Sequence, residues 1–234
     1  MNKIFIGYDP RESDAFAVTV HSIRKHYGAL PRTGLVLDDL IEQGLYTRPM
    51  YTGRNWDVIS NAPMSTEFAI SRFLTPHLGK DGLALFMDCD MLVRRSLQPM
   101  FDLAMSRPDK AVWVVKHQYY PENTTKMDGC IQVQYERKNW SSVMLFNCEH
   151  PFCKALTPDV VNSVTGLQLH QFKWVPDDLI GDLNPEWNYL IGHTSHVDPS
   201  IVHFTEGVPS MPKYKDVEFA DEWRAVLMDW AKCA

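Results

Sequence analysis

Asp88 and Asp90 close the apolar run "LALFMDCDMLVRR" (83–95), with one cysteine between them. Along a strand, residues two apart share a face and lie roughly 6–7 Å apart at Cα. Two carboxylates aimed at one point past a strand end repel unless a cation sits between them or each is separately hydrogen-bonded. Their oxygens suit Mg²⁺ or Mn²⁺, which keep positions open for water and phosphate oxygens. In open α/β sheets the carboxyl ends of strands are also where ligands bind. The alternative is that one aspartate caps the next turn and the other is solvated. Cys89, between them, is expected to face the sheet packing, and Arg94 and Arg95 read first as surface or helix-flanking charges.

The elements that must position this pair alternate along the chain. "KIFIGYD" reads as a strand and loop, and "ESDAFAVTVHSIRKHYG" as a helix stopped by Gly28. "TGLVLDDL" is a second strand, and residues 42–63, rich in Gly, Pro, Asn and Thr, a long loop. "STEFAISRFLTPHLG" has the spacing of a helix, with Ser65 as its cap and Phe68, Phe73 and Leu74 on its core face. After the "LALFMD" strand come a short helix near "SLQPMFDLAM" and the strand "AVWVV". The second half holds a strand at "SSVMLFNCEH", a helix at "PFCKALTPDVVNSV", a late strand at "SIVHFTEG" and a closing amphipathic helix at "DEWRAVLMDWAKC". Continuous apolar strands between helices predict an α/β fold whose mostly parallel central sheet is covered by helices on both faces.

With 234 residues, 45% of them hydrophobic, the chain can bury one sizeable core and is expected to form a single domain over 1–234. A formal net charge of −6 counts against nucleic-acid or anionic-membrane binding. The start, "MNKIFIGYDPRES", lacks the apolar core of a secretory signal, and no window approaches the roughly 20 apolar residues of a membrane span. Five cysteines without CxxC spacing read as reduced thiols in a cytoplasmic protein.

An apolar strand closing on D-x-D, after a segment carrying Arg72, resembles the GT-A glycosyltransferases. More narrowly it resembles glycosyltransferase family 8, the group that includes glycogenin and bacterial galactosyltransferases. "IFIGYDPRES", "STEFAISRFLTPHL", "WSSVMLFN" and "IVHFTEG" fall in that family's order, over about residues 3 to 207.

The resemblance implies a GT-A fold and a metal-dependent transfer, with retention, from a nucleotide-sugar donor, a UDP-sugar, to a saccharide or other hydroxyl acceptor. Residues 1–117 would form the nucleotide-binding half and 118–234 the acceptor-side half. Asp88 and Asp90 would hold Mn²⁺ or Mg²⁺, Asp88 also facing the donor, and His203 would complete the ligands. A histidine on an apolar strand can equally be a satisfied semi-buried residue; if His203 is a ligand, manganese is favoured. Gly7, Tyr8, Asp9 and Arg11 would lie along the nucleotide, and Arg72 near its phosphates or sugar.

The pattern also departs from the family's. Ser142 replaces a motif glycine, one residue is inserted before Gly207, and Lys213, the counterpart of a phosphate-binding lysine, lies further out. The family's D-Q pair has no clean counterpart; Gln171 is the nearest candidate, with Asp177 and Asp178 as competitors, so Gln171 and Asp178 stand as the catalytic candidates. Trp187 and Asn188 could shape a sugar or acceptor pocket, and the polar, aromatic stretch 116–129 would face the acceptor.

Two other function classes use similar features. Haloacid dehalogenase-type phosphatases place D-x-D at a strand end with Mg²⁺, but early in the chain and before a small-residue turn, whereas Met91-Leu92-Val93 follow here. A non-catalytic nucleotide-sugar binding module would need the same cleft without turnover. Nucleotidyltransferases usually carry a glycine-rich basic loop after the first strand, where "GYDPRESD" offers only Arg11.

Overall fold

The computed structural model of the protein describes residues 2–28, 32–51, 54, 56–118, 125–126, 130–131 and 135–233. Most of the 116–129 stretch lies outside the described residues. β1 (Lys3–Gly7) passes through a 3-10 turn (Pro10–Glu12) into α1 (Ser13–Tyr27), β2 (Arg32–Leu35) and α2 (Leu37–Glu42). As expected, α1 ends at Gly28, whose φ of 80° favours a residue without Cβ. β3 (Trp56–Asp57) and β4 (Ala62–Pro63) form a hairpin, followed by a 3-10 turn (Ser71–Leu74), α3 (Thr75–Gly79), β5 (Leu83–Met87), β6 (Met91–Val93), α4 (Gln98–Ser106) and β7 (Val112–Val114). β8 (Thr125–Lys126) and β9 (Cys130–Ile131) pair with each other. β10 (Val143–Asn147), α5 (Pro151–Ala155), α6 (Pro158–Ser163), α7 (Gly166–His170), β11 (Ile180–Asp182), β12 (Tyr189–Leu190), β13 (Ile201–His203) and α8 (Ala220–Cys233) complete the order.

The six-stranded sheet runs β11-β7-β10-β5-β1-β2. Parallel pairs join β1 to β2, β1 to β5 and β7 to β11, so the sheet is mostly parallel. β10 is the reversed strand, antiparallel to both β5 and β7. All five residues of central β5 are buried, which is why its sequence is continuously apolar. A second, three-stranded sheet has the order β12-β13-β6. It packs with α1 and α8 around a smaller core that includes Val18, Leu92, Val202, Phe204 and Trp223. The chain leaves the large sheet at Met87 and enters the small one at Met91, so Asp88-Cys89-Asp90 is the crossing between two sheets.

Several local expectations need correction. The helix expected over 65–79 is a series of turns, then the 3-10 turn 71–74, then α3. Residues 68–76 are buried without a break, so this segment has no solvent face and tertiary packing overrides its helical spacing. The helix expected over 151–164 breaks into α5 and α6 because Pro158 begins the second, with Thr157 as its cap. β2 ends at Leu35 and Leu37 already starts α2, while the loop 42–63 contains the β3–β4 hairpin. Among the described residues no helix is long and apolar enough to cross a membrane.

Candidate active site

Backbone bonds fix the Asp88–Asp90 crossing from both sides. The Asp88 N–H donates to the Ser142 carbonyl (2.9 Å), and the Phe204 N–H donates to the Asp90 carbonyl (3.0 Å). Thr19 of α1 braces the turn from below, its hydroxyl accepting the Met91 N–H at 3.2 Å. Cys89 points into the packing as expected, fully buried with its thiol 3.5 Å from a Glu12 carboxylate oxygen. Burial, reinforced by Glu12, pushes that thiol's pKa well up, so it stays protonated and inert.

β13 brings His203 to this crossing because His203 pairs with Met91, one residue beyond Asp90. Asp88, Asp90 and His203 each offer a ligand atom within 4.8 Å of the others. Asn188, just before β12, decides how His203 faces them. The Asn188 Nδ2 donates to Ser142 Oγ (2.8 Å) and to the Asn139 carbonyl (3.3 Å), so its Oδ1 must be the atom 2.9 Å from His203 Nδ1. An acceptor there fixes a proton on Nδ1 and leaves Nε2 facing Asp90 Oδ1, 3.3 Å away. Asp90 and His203 are 5% and 1% exposed. A buried imidazole nitrogen and a buried carboxylate oxygen this close need a proton or a metal cation between them. Two carboxylates and an imidazole oriented by an outer hydrogen bond fit a divalent metal.

Arg72 rises from the 3-10 turn 71–74 as the next polar group. Its guanidinium packs against both the Phe68 and Phe86 rings, 5.2 and 5.0 Å from their centroids. It meets Asp88 Oδ1 at 2.7 Å and donates to the Ser141 carbonyl at 2.9 Å. A planar guanidinium can stack and donate at once, which an ammonium cannot.

Asp88, Asp90 and Arg72 line a cleft of about 340 Å³ that also takes in Glu12, Asp57, Ser60, Tyr135, Lys138 and His170. His170, the last residue of α7, lies with Nδ1 2.7 Å from Ser141 Oγ, and its ring also donates to the Ala69 backbone. Burial, then the positive charge of Arg72, pushes its pKa down to about 3, so it is neutral at physiological pH. Burial pushes the Tyr135 phenol up to about 12. At the far end, Asp57 pairs with buried Arg48, whose Nη1 donates to the Val161 (2.7 Å) and Val164 (2.8 Å) carbonyls. Burial raises the Asp57 pKa, but Arg48 and Ser60 outweigh it and hold the carboxyl below its ordinary range. Ser60 Oγ accepts the Gly166 N–H at 2.7 Å, tying the start of α7 to the β3–β4 hairpin.

The structure therefore brings together Asp88, Asp90, His203 and Arg72, and places the other sequence candidates elsewhere. Gly7 packs under Phe68, whose ring carbon would lie 2.4 Å from a Cβ at that position. Tyr8 meets Phe16 edge-on. Asp9 is fully buried, and its carboxylate accepts from Arg11 (Nη2, 2.6 Å) and from the Glu67 N–H (3.1 Å), while Arg11 donates on to the Ser65 carbonyl (2.9 Å). Asp9 and Arg11 thus hold the rim of the cleft through the backbone of 65–67, and neither is a lining residue. Gln171 follows the end of α7 and contributes its carbonyl to Arg137, while the Asp178 carbonyl accepts from Lys110; neither side chain lines the cleft. Lys213 is exposed, 5.1 Å over the Tyr214 ring. Trp187 is a core residue, whereas Asn188 acts on His203. Sequence reasoning missed Glu12, Lys138, Ser141 and His170, whose lining positions carry no motif.

No family model matches the chain. Among solved structures, the bifunctional glycosyltransferase WbbM superimposes with a TM-score of 0.65 at 14% identity, covering 98% of this chain and 51% of that one. The glycosyltransferase GlyE of Streptococcus pneumoniae TIGR4 gives 0.62 at 12% identity, over 99% of this chain and 62% of its own. Galactosyltransferase LgtC, solved with donor and acceptor sugar analogs, gives 0.58 at 11% identity, over 98% and 96%. This chain thus spans about half of WbbM and less than two thirds of GlyE, and the likeness establishes the GT-A fold. Protein CDI of Arabidopsis thaliana is 43% identical over 240 residues, which cover 98% of this chain and 87% of that protein. The chain belongs to the family of Arabidopsis Protein CDI and carries the fold of GT-A glycosyltransferases.

Proposed function

We propose that this protein is a metal-dependent glycosyltransferase that moves a sugar from a nucleotide-sugar donor, a UDP-sugar, to a hydroxyl-bearing acceptor. The observation that carries this reading is the convergence of Asp88, Asp90 and His203 within 4.8 Å on a GT-A fold, with both aspartates lining a cleft. Asp88, Asp90 and His203 would hold a divalent cation, Mn²⁺ ahead of Mg²⁺ because one ligand is an imidazole nitrogen. When bound, the cation supplies Lewis-acid stabilisation of the departing diphosphate.

The chain's own residues do the rest. Arg72 holds Asp88 in place and adds positive charge beside the phosphates. Ser60 and Ser141 offer hydroxyl groups along the wall, suited to sugar hydroxyls. The bond between the anomeric carbon and the β-phosphate oxygen breaks with its electron pair left on that oxygen. The acceptor oxygen bonds to the carbon and its proton passes to the departing phosphate. Retention rests on the resemblance to family 8. Lining residues come from 12–90 and from 135–170, consistent with one catalytic unit over 1–234 built from the halves 1–117 and 118–234. Buried free thiols at Cys89, Cys148 and Cys153 fit a cytoplasmic setting.

Calorimetric titration of metal-stripped protein with UDP, with and without Mn²⁺ and on Asp90→Ala, tests the reading. Micromolar binding that needs Mn²⁺ and disappears in the variant supports it; UDP release across a panel of UDP-sugars then identifies the donor. Absence of binding in both conditions sinks the uridine-nucleotide assignment. Binding without turnover over a broad acceptor panel favours a non-catalytic module.

A further inference from the structure

We propose that Lys138 is the cation that meets the leaving diphosphate in this cleft, the task for which the sequence pattern nominates Lys213. The assignment rests on the reading of the cleft as a nucleoside diphosphate site.

Lys138 is 7% exposed and lines the cleft together with Arg72, Asp88 and Asp90. Its ammonium stands 5.7 Å from the centre of the Tyr135 ring. Among the described lining residues, Arg72 and Lys138 are the cationic ones. A nucleoside diphosphate brings about three negative charges, more than a divalent ion held by two carboxylates neutralises. A second cation in the wall reduces the negative excess that remains.

The backbone is built to hold Lys138 there. Its neighbours Arg137 and Asn139 both have φ of 64°, a left-handed conformation that non-glycine residues rarely adopt. Each is tied down. Arg137 bonds both Asp177 oxygens at 2.8 Å and the Gln171 carbonyl at 3.0 Å. The Asn139 carbonyl accepts from Ser142 Oγ at 2.7 Å and from Asn188 Nδ2 at 3.3 Å, the same amide that orients His203. One hydrogen-bonded network therefore sets the positions of Lys138 and the His203 ligand. Lys213 has no such placement: it is exposed on a short 3-10 turn whose Tyr214 packs against Gly207, where a Cβ would lie 2.2 Å from the ring.

The test compares wild type, Lys138→Met and Lys138→Arg by calorimetry in saturating Mn²⁺, with UDP, GDP and UMP as probes. Methionine keeps the apolar stem and arginine keeps the charge, so a folding defect and a charge defect separate. The expected result is UDP affinity about 10- to 100-fold weaker in Lys138→Met, UMP affinity changed less than about 3-fold, and most of the UDP affinity retained in Lys138→Arg. UDP affinity unchanged in Lys138→Met overturns the assignment while wild-type binding leaves the cleft reading standing. Equal loss of UDP and UMP in Lys138→Met also overturns it, by making the residue structural. If wild type binds neither UDP nor GDP, the cleft reading falls and the assignment falls with it.

Discussion

The Asn188 side-chain oxygen lies 2.9 Å from His203 Nδ1, and this contact sets which imidazole nitrogen faces Asp90. Outer hydrogen bonds of this kind fix the tautomer of a metal-bound histidine and raise its basicity. Asn188→Ala is therefore expected to weaken Mn²⁺ binding about 10- to 100-fold, read from the spectrum of free Mn²⁺ in a titration. Asn188→Asp retains the acceptor but loses both donor bonds and sets a carboxylate oxygen against the Asn139 carbonyl, so it should recover only part of the affinity. Wild-type Mn²⁺ binding in Asn188→Ala would show that His203 needs no such orientation.

Arg72 joins three features: the two aromatic rings, Asp88 and the Ser141 carbonyl. Arg72→Ala leaves a largely buried carboxylate without that partner and removes the packing against Phe68 and Phe86. A loss of about 2–4 kcal/mol in urea denaturation is expected. Arg72→Lys restores the charge but not the stacking plane, and should recover less than half of that loss. Full recovery by lysine would reduce the role of Arg72 to its charge.

Two histidines are held neutral by burial, His117 and His170, each with its pKa pushed down to about 3. In the unfolded chain they titrate near the ordinary value of about 6.5. Folding thus favours the neutral forms; their contribution is complete above about pH 6.5 and is lost as pH falls toward 3. The melting temperature should drop between about pH 7 and 4, and the drop should be smaller in His170→Gln. Glutamine can accept from Ser141 and donate to the Ala69 backbone without titrating. An identical pH dependence in the variant would mean that His170 is free to ionise in the fold.

The sequence reveals the Asp88–Asp90–His203 group because a strand's two-residue period and an apolar run ending in charge are local signals. Asp88 and Asp90 need only the end of β5, and His203 needs only its place at the end of another apolar strand. Lys138 and His170 are different in kind. Lys138 depends on two non-glycine residues in left-handed conformations, which no residue type announces. Gln171 and His170 are adjacent, and the turn that ends α7 gives the cleft to the histidine. The segment 65–79 misleads for a related reason. Its apolar spacing fits a helix, yet burial on every side lets the neighbours dictate its path.

Gly7 tests that path. An alanine Cβ there would lie 2.4 to 2.7 Å from three carbons of the Phe68 ring, so the ring and the turn that carries it must shift. Gly7→Ala should cost about 1–3 kcal/mol in chemical denaturation. It should also weaken Mn²⁺-dependent UDP binding, because Phe68 flanks Arg72. Adding Phe68→Leu should recover part of the stability. If Gly7→Ala is neutral, Phe68 is free to give way and its contact with Gly7 does not set the cleft wall.

At the far end of the cleft, the Arg48–Asp57 pair is buried and holds the β3–β4 hairpin to the end of α6. Arg48→Met strands a buried carboxylate and interrupts four hydrogen bonds, two to Asp57 and two to backbone carbonyls, with an expected loss of about 3–5 kcal/mol. Asp57→Asn alone should cost less, since asparagine still offers one acceptor to the guanidinium. The double variant should be more stable than the sum of the single losses predicts, by about 1–3 kcal/mol in a double-mutant cycle. Simple additivity would mean that the two residues act separately, Arg48 through the Val161 and Val164 carbonyls and Asp57 through Ser60.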